Sequence, residues 1–258
     1  MPEQIAQHLG RAWRLLGTGF AFATFFLGGA LLAALVFPWL AIGTRQPASR
    51  VQEFLRRVFA FFLRLLESLA VLRLDVSGAE RLAACRGRLI VANHPTLLDV
   101  VFLMALVPRA SCIVKNELWQ SRFLGGVMRA AGYIRNDLPA EELVRQCRRA
   151  LDDGGNLIVF PEGTRTQPDR RPRFQRGFAN IALLAGVDIQ VVVISCTPLT
   201  LTKGEPWYRI PPRQPLFCVE IAHEVDVRSF RRERYRGIGS RSLTRSLENF
   251  YLARLGHG

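Results

Sequence analysis

The chain reads as an α/β protein: a mostly parallel sheet flanked by helices, preceded by an N-terminal membrane helix or helical hairpin. Three observations predict this. Residues 15–44 carry no charged side chain. From residue 88 onward, short apolar runs of strand type alternate with helical stretches, the pattern of a parallel sheet covered on both faces. Candidate chemistry sits directly after two of those apolar runs, where ligands of α/β sheets gather.

The uncharged segment from Leu15 to Thr44 is longer than the ~20 residues a helix needs to cross a bilayer. It begins well inside the chain and ends without a small-residue cleavage site, so it reads as a retained anchor rather than a signal peptide. Gly28-Gly29 and Pro38 interrupt it, leaving either one tilted helix or two short helices dipping into one leaflet. Arg11 and Arg14 flank its start; Arg45, Arg50, Arg56, Arg57 and Arg64 follow its end. The positive-inside rule places that basic C-terminal side in the cytoplasm.

Val51 to Leu72 has the spacing of an amphipathic helix. Gln52, Glu53, Arg56, Arg57, Arg64, Glu67 and Ser68 fall on one arc, and Phe and Leu side chains fill the other. Such a face packs on a core or lies in a membrane interface. These helices define a membrane-anchoring region over residues 1–74, with the α/β domain at 75–258.

Within that domain, Arg88–Ala92, Ser111–Val114, Asn156–Phe160, Ile189–Ser195 and Phe217–Ala222 are strand-like. Thr96–Val107, Leu118–Ala131, Ala140–Asp153 and Phe178–Ala185 are helical, two of them closed by Gly154-Gly155 and Gly186. The Arg-rich tail from Arg228 to Arg254 ends in a surface helix.

The formal net charge of +14, almost all of it arginine, attracts polyanions. No Cys-His cluster, RNA-binding aromatic signature or helix-turn-helix pattern accompanies it, which favours an anionic lipid leaflet over nucleic acid. A nucleic-acid binder would lose its binding steeply with salt. Five scattered cysteines without a C-x-x-C pair argue against both a disulfide framework and a structural metal, and suit a reducing compartment.

The first candidate constellation is Asn93-His94-Pro95-Thr96-Leu97-Leu98-Asp99. Pro95 suits a first helical position, with His94 at the cap and Asp99 about one turn in. A carboxylate there reaches the imidazole, fixes its tautomer and leaves the other ring nitrogen to accept a proton. This is the His-Asp half of a catalytic triad, the nucleophile being a substrate hydroxyl. General base catalysis of this kind contributes roughly 10²- to 10⁴-fold.

The second constellation is Phe160-Pro161-Glu162-Gly163-Thr164-Arg165. Gly163 permits close backbone approach, Thr164 offers a hydroxyl, and Arg165 a phosphate fork. Glu162 orients Arg165 or binds a substrate hydroxyl. Elsewhere, His8, His223 and His257 have no partner pattern, and Ser195 lacks a G-x-S-x-G elbow, which argues against a serine hydrolase.

The N-H-x-x-x-x-D and F-P-E-G-T-R strings, 61 residues apart from Asp99 to Phe160, resemble the glycerolipid acyltransferases of the lysophosphatidic acid and glycerol-3-phosphate type. The resemblance covers about Arg88 to Pro198. Lys115-Asn116-Glu117-Leu118 is similar to the family's K-x-E-L segment, and Phe174-Gln175-Arg176-Gly177 to a relaxed F-[KR]-x-G. It implies His94 as base and Asp99 as its partner, with Glu162, Gly163 and Arg165 binding the acyl acceptor; Asn93, Arg135, Thr164 and Arg176 are further candidate substrate-binding residues of this chain. It also implies a donor, acyl-CoA or acyl-carrier protein, with no bound cofactor or metal, and a bacterial-type inner membrane location with the catalytic domain facing the cytoplasm. Backbone amides near Gly163 or the helix start at Pro95 are the candidate oxyanion donors.

The chain departs from the family at two places. The usual arginine of the second motif is replaced by Leu138, and Arg135 comes three residues early. The fourth motif, Val191-Val192-Val193-Ile194, has no proline until Pro198. These departures keep a second acceptor class open, an ornithine-type or specialised lyso-lipid. A reading from another class is a non-catalytic basic membrane-binding module; intact His94, Asp99 and Glu162 speak against it. The stretch Lys203-Gly204-Glu205-Pro206-Trp207-Tyr208 fits no family motif and is expected as a loop against the sheet or as a wall of the acceptor pocket.

Overall fold

The computed structural model describes residues 2–35, 47–122, 124–166, 171–231 and 236–256. Pro38, Arg45, Arg170 and His257 lie outside the described residues. Helix α1 (Pro2–Leu35) runs unbroken through Gly28-Gly29. Its stretch from His8 to Leu32 has a mean hydropathy of 1.8 and is long and apolar enough to cross a membrane.

Helix α2 (Pro47–Ser68) leads into β1 (Arg73–Ser77) and α3 (Ala79–Ala84). Then come β2 (Leu89–Ala92), α4 (Asp99–Leu106), β3 (Ala110–Val114), α5 (Asn116–Trp119), α6 (Gly125–Ala130) and β4 (Ile134–Arg135). They are followed by α7 (Ala140–Asp152), β5 (Asn156–Val159), α8 (Gly177–Ala185), β6 (Ile189–Thr197) and β7 (Leu216–Val225). Helices α9 (Arg228–Arg231) and α10 (Arg236–Arg254) close the described chain.

The seven strands form one sheet in the order β1-β7-β6-β2-β5-β3-β4. Neighbours run parallel except β6 and β7, so β1 and β7 oppose the other five. The mostly parallel sheet is thus as the alternation of elements predicts. Every residue of β2 is buried, as are the first six of β6, because helices cover both faces.

One face carries a core built from α2, α4 and their neighbours, including Leu55, Phe62, Phe102 and Phe217. The other carries α7, α8 and α10, including Leu151, Phe178, Leu243 and Tyr251. Helix α2 therefore packs on the core. Gln52, placed by the helical wheel on the polar arc, is buried and donates to Ala131 O at 2.8 Å. The boundary expected between residues 74 and 75 falls inside β1.

Three local expectations are corrected. The helix expected over 118–131 is split into α5 and α6. Gly125 lets the chain double back there: a Cβ on it would stand 2.4 Å from Trp119 O. The helix expected from Thr96 begins at Asp99 instead. Thr96 N–H and Oγ1 are both bonded to the Asp99 carboxylate, at 2.7 and 2.6 Å, and Leu97 N–H goes to Leu201 O at 3.0 Å. Helix α10 is not a surface helix. Leu243, Leu247 and Tyr251 recur every four residues and form a fully buried stripe.

Candidate active site

The site grows from the C-terminal end of β2. Asn93 is buried there, and its amide is taken up by one peptide of β6. Its Nδ2 donates to Ile194 O and its Oδ1 accepts from Ile194 N–H, each at 2.7 Å. Both of its polar atoms are thereby used in joining β2 to β6, a structural task rather than the substrate contact expected for it.

His94 opens the following turn. Its Nδ1 lies 2.8 Å from Asp99 Oδ2, and the Asp99 side chain has no solvent exposure. With Asp99 ionised, Nδ1 carries the proton and Nε2 is left as an acceptor. Burial raises the Asp99 carboxyl above the usual carboxylate range, and the hydrogen bonds from His94 and Thr96 pull it back. The Phe160 ring stacks on the imidazole, centroids 4.2 Å apart and planes at 24°. The imidazole is thus held by a hydrogen bond along one edge and by a ring across one face.

Glu162 contacts the backbone of His94 rather than Arg165. His94 N–H donates to Glu162 Oε1 at 2.9 Å, and Thr166 Oγ1 donates to Glu162 Oε2 at 2.5 Å. Thr166 N–H in turn donates to His94 O at 2.7 Å. The loop after β5 therefore grips the His94 peptide at both its N–H and its C=O. Burial raises the Glu162 carboxyl, and the donors from Thr166 and His94 oppose that.

The remaining expected residues are placed as follows. Gly163 has φ +69°, a left-handed conformation that favours glycine. Its N–H donates to Phe160 O, which commits it, like the Thr96 and Leu97 amides, to the fold rather than to an oxyanion. Thr164 is exposed in the same turn. Arg165 donates to Leu201 O at 3.1 Å and to Thr202 O at 2.9 Å, fastening this loop to the β6–β7 connection. Arg176, exposed, stands at the N-terminal flank of α8 without a capping bond from its side chain, beside Gln175, whose N–H reaches Pro161 O. Arg135 lies on β4, two strands beyond β5, and forms a two-pronged pair with Asp137 at 2.9 and 3.1 Å.

An apolar cavity of about 410 Å³ adjoins the His94–Asp99 turn. Leu97, Leu98, Val101 and Met104 line it from that turn and α4, Tyr133 from the far side, and Phe22 from α1. A long aliphatic chain suits such a lining. Thr96, Phe160 and Thr166 are the members of this constellation that motif reading passed over as site residues. Thr96 sits three positions before Asp99, and Thr166 directly follows the second motif, so proximity was the signal available for both.

Comparison with known proteins finds acyltransferases. Residues 73–196 match the family model described as Acyltransferase. The chain is 34% identical over 113 residues to a 1-acyl-sn-glycerol-3-phosphate acyltransferase of Helicobacter pylori, covering 42% of this chain and 48% of the relative. It is 31% identical over 172 residues to a lyso-ornithine lipid O-acyltransferase of Pseudomonas aeruginosa, covering 66% of this chain and 65% of the relative. The chain spans about half the length of several such relatives. In three dimensions it is similar to the crystal structure of the 1-acyl-sn-glycerophosphate acyltransferase PlsC of Thermotoga maritima. The TM-score is 0.67 at 20% identity, over 94% of this chain and 96% of that one, which shows a shared fold. Residues 73–196 are thus a domain of the Acyltransferase family, set in a chain that resembles the glycerolipid acyltransferases.

Proposed function

We propose that this chain is a membrane-bound O-acyltransferase that moves a fatty acyl group from a thioester to the hydroxyl of a lyso-lipid. The observation that carries the reading is the His94–Asp99 pair, its carboxylate fully buried and its imidazole partly accessible, beside an apolar cavity. His94 Nε2 takes the proton from the acceptor hydroxyl. The oxygen attacks the thioester carbonyl, and the tetrahedral intermediate collapses with release of the thiol, which recovers the proton from His94. Asp99 holds the ring and stabilises the imidazolium between the two transfers. The cavity holds an acyl chain.

The donor is acyl-CoA or acyl-carrier protein; an acidic carrier would suit the +14 chain. Thr164, Arg165 and Arg176, on and beside the exposed turn after β5, are the proposed headgroup contacts, while Arg135, on β4, stays with Asp137. Helix α1 anchors the chain, and the arginines of α2 orient the domain towards the cytoplasm.

Two acceptor classes are in play. Lysophosphatidic acid follows from the larger number of relatives. A lyso-ornithine type of acceptor is favoured by one local observation: Leu138 stands where the family has its arginine, and Arg135 is already paired with Asp137. Offering both lipids to the detergent-purified protein, with each donor, separates them. Acylation of lysophosphatidic acid supports the first, acylation of the lyso-ornithine lipid alone supports the second, and acylation of neither rejects both.

A further inference from the structure

The β6–β7 connection, residues 198–215, carries the segment from Lys203 to Tyr208, which matches no motif of the His94–Asp99 site. It holds three large side chains out to solvent, with Leu199 41%, Trp207 42% and Tyr208 62% exposed. The loop is nonetheless ordered from within. Glu205 accepts from Thr202 N–H and Oγ1, Arg209 N–H donates to Pro206 O, and Ile210 is buried. An internally braced loop that displays an indole and a phenol has the composition of a membrane-interface contact, where such rings settle at headgroup level.

The loop is also fastened to α1. Trp207 stacks on Phe22 with centroids 5.8 Å apart. Arg14 donates to Pro211 O at 3.2 Å and to Pro212 O at 2.8 Å. Away from this contact, α1 exposes Leu16, Phe20, Phe26 and Leu27, each more than half accessible.

The extent of the docking sets the depth. Trp13 Nε1 donates to Leu69 O, and Phe25 packs its ring against Phe59 and Phe62. Between these two contacts α1 advances about 18 Å at ~1.5 Å per residue. That is more than half of a bilayer's hydrocarbon thickness of roughly 30 Å. A membrane helix held along that length cannot enter lipid without bringing the adjoining protein surface to the membrane, and the Trp207 loop is that surface.

We propose that Trp207 and Tyr208 form a second membrane anchor, entering the headgroup–acyl boundary of an anionic bilayer beside α1. The inference rests on the reading of α1 as the membrane helix. Exposed Lys203 and Arg213 flank the rings and complement anionic headgroups, while Arg209 faces Glu205 at 3.6 Å. Because Trp207 also lines the apolar cavity, the anchor sets that wall against the lipid in which acceptor and product reside.

The test uses the full-length protein in vesicles of phosphatidylglycerol and phosphatidylethanolamine. The photo-crosslinker p-benzoylphenylalanine is placed at position 208, and at position 246, an exposed serine of α10, as the control. The expected result is a phospholipid adduct at 208 well above that at 246. Flotation with the vesicles but equal adducts at both positions overturns the second anchor and leaves α1 standing; failure to float overturns both. Neither readout depends on catalysis, so each is separable from failure of the acyltransferase reading. In an activity assay, Tyr208→Asp is expected to raise the apparent KM for vesicle-embedded acceptor about tenfold, with kcat held within about twofold. An unchanged KM would overturn the anchor as well.

Discussion

At the residue scale, Glu162 shows how a motif's chemistry can differ from its appearance. A carboxylate in a segment expected to bind phosphate was hard to place from sequence. In the structure its two oxygens accept from the His94 peptide and the Thr166 hydroxyl, so it sets where the imidazole stands. Burial raises its carboxyl above the ordinary 4.5, so the folded chain holds this proton more tightly than the unfolded one. Stability from that source is full below the ordinary value and is lost as pH rises through the raised one. Glu162→Gln keeps an acceptor for His94 N–H and does not titrate. Its melting temperature relative to wild type should therefore climb as pH rises from below 4.5; a constant difference in paired thermal melts would exclude this account. The His94–Asp99 contact was legible because five residues of turn suffice to close it. The backbone partners of Asn93 and Arg165 were not legible, because Ile194 and Leu201 lie 101 and 36 residues away, beyond any local pattern.

At the element scale, most of the strands and long helices follow from apolar runs and glycine stops. The exceptions have physical causes. β4 is two residues long, and β1 alternates between exposed and half-buried positions at the sheet edge, so neither makes an apolar run. Helix α10 hides its buried stripe among Arg241, Arg245 and Arg254, and its arginine content pointed to the surface. Its deepest residue, Tyr251, places its hydroxyl 2.8 Å from Val91 O and 2.9 Å from Val192 O. Those carbonyls belong to β2 and β6, whose ends carry His94 and the Asn93–Ile194 junction. Tyr251→Phe removes the hydroxyl and leaves buried carbonyls short of a donor, so it should cost about 1–3 kcal/mol. A melting temperature lowered by several degrees would register that cost, and an unchanged one would show the bonds to be worth nothing net.

At the scale of the whole molecule, the α/β class was legible from alternation alone. Strand direction was not, since composition does not reveal that β7 turns back against β6. Nor could the sequence disclose the cavity, which draws its wall from α1, α2, α4, α6 and the β6–β7 loop together. Its size should set the preferred acyl length. Met128→Trp, which fills space from α6, is expected to shift preference towards shorter chains. Each methylene denied burial forfeits ~0.8 kcal/mol, about fourfold in kcat/KM. Competition between acyl donors of graded length would reveal the shift; the same optimum in both proteins would remove the cavity from the account of chain selection.

The central claim is that the His94 imidazole, held by Asp99, carries the acyl transfer. Thioester-dependent acylation of lyso-lipid by wild type, His94→Ala and Asp99→Asn, each purified in detergent and matched for melting temperature, tests it most directly. The account predicts turnover by wild type and a loss of at least ~10²-fold in His94→Ala, with Asp99→Asn also impaired. Wild-type turnover in His94→Ala would contradict it.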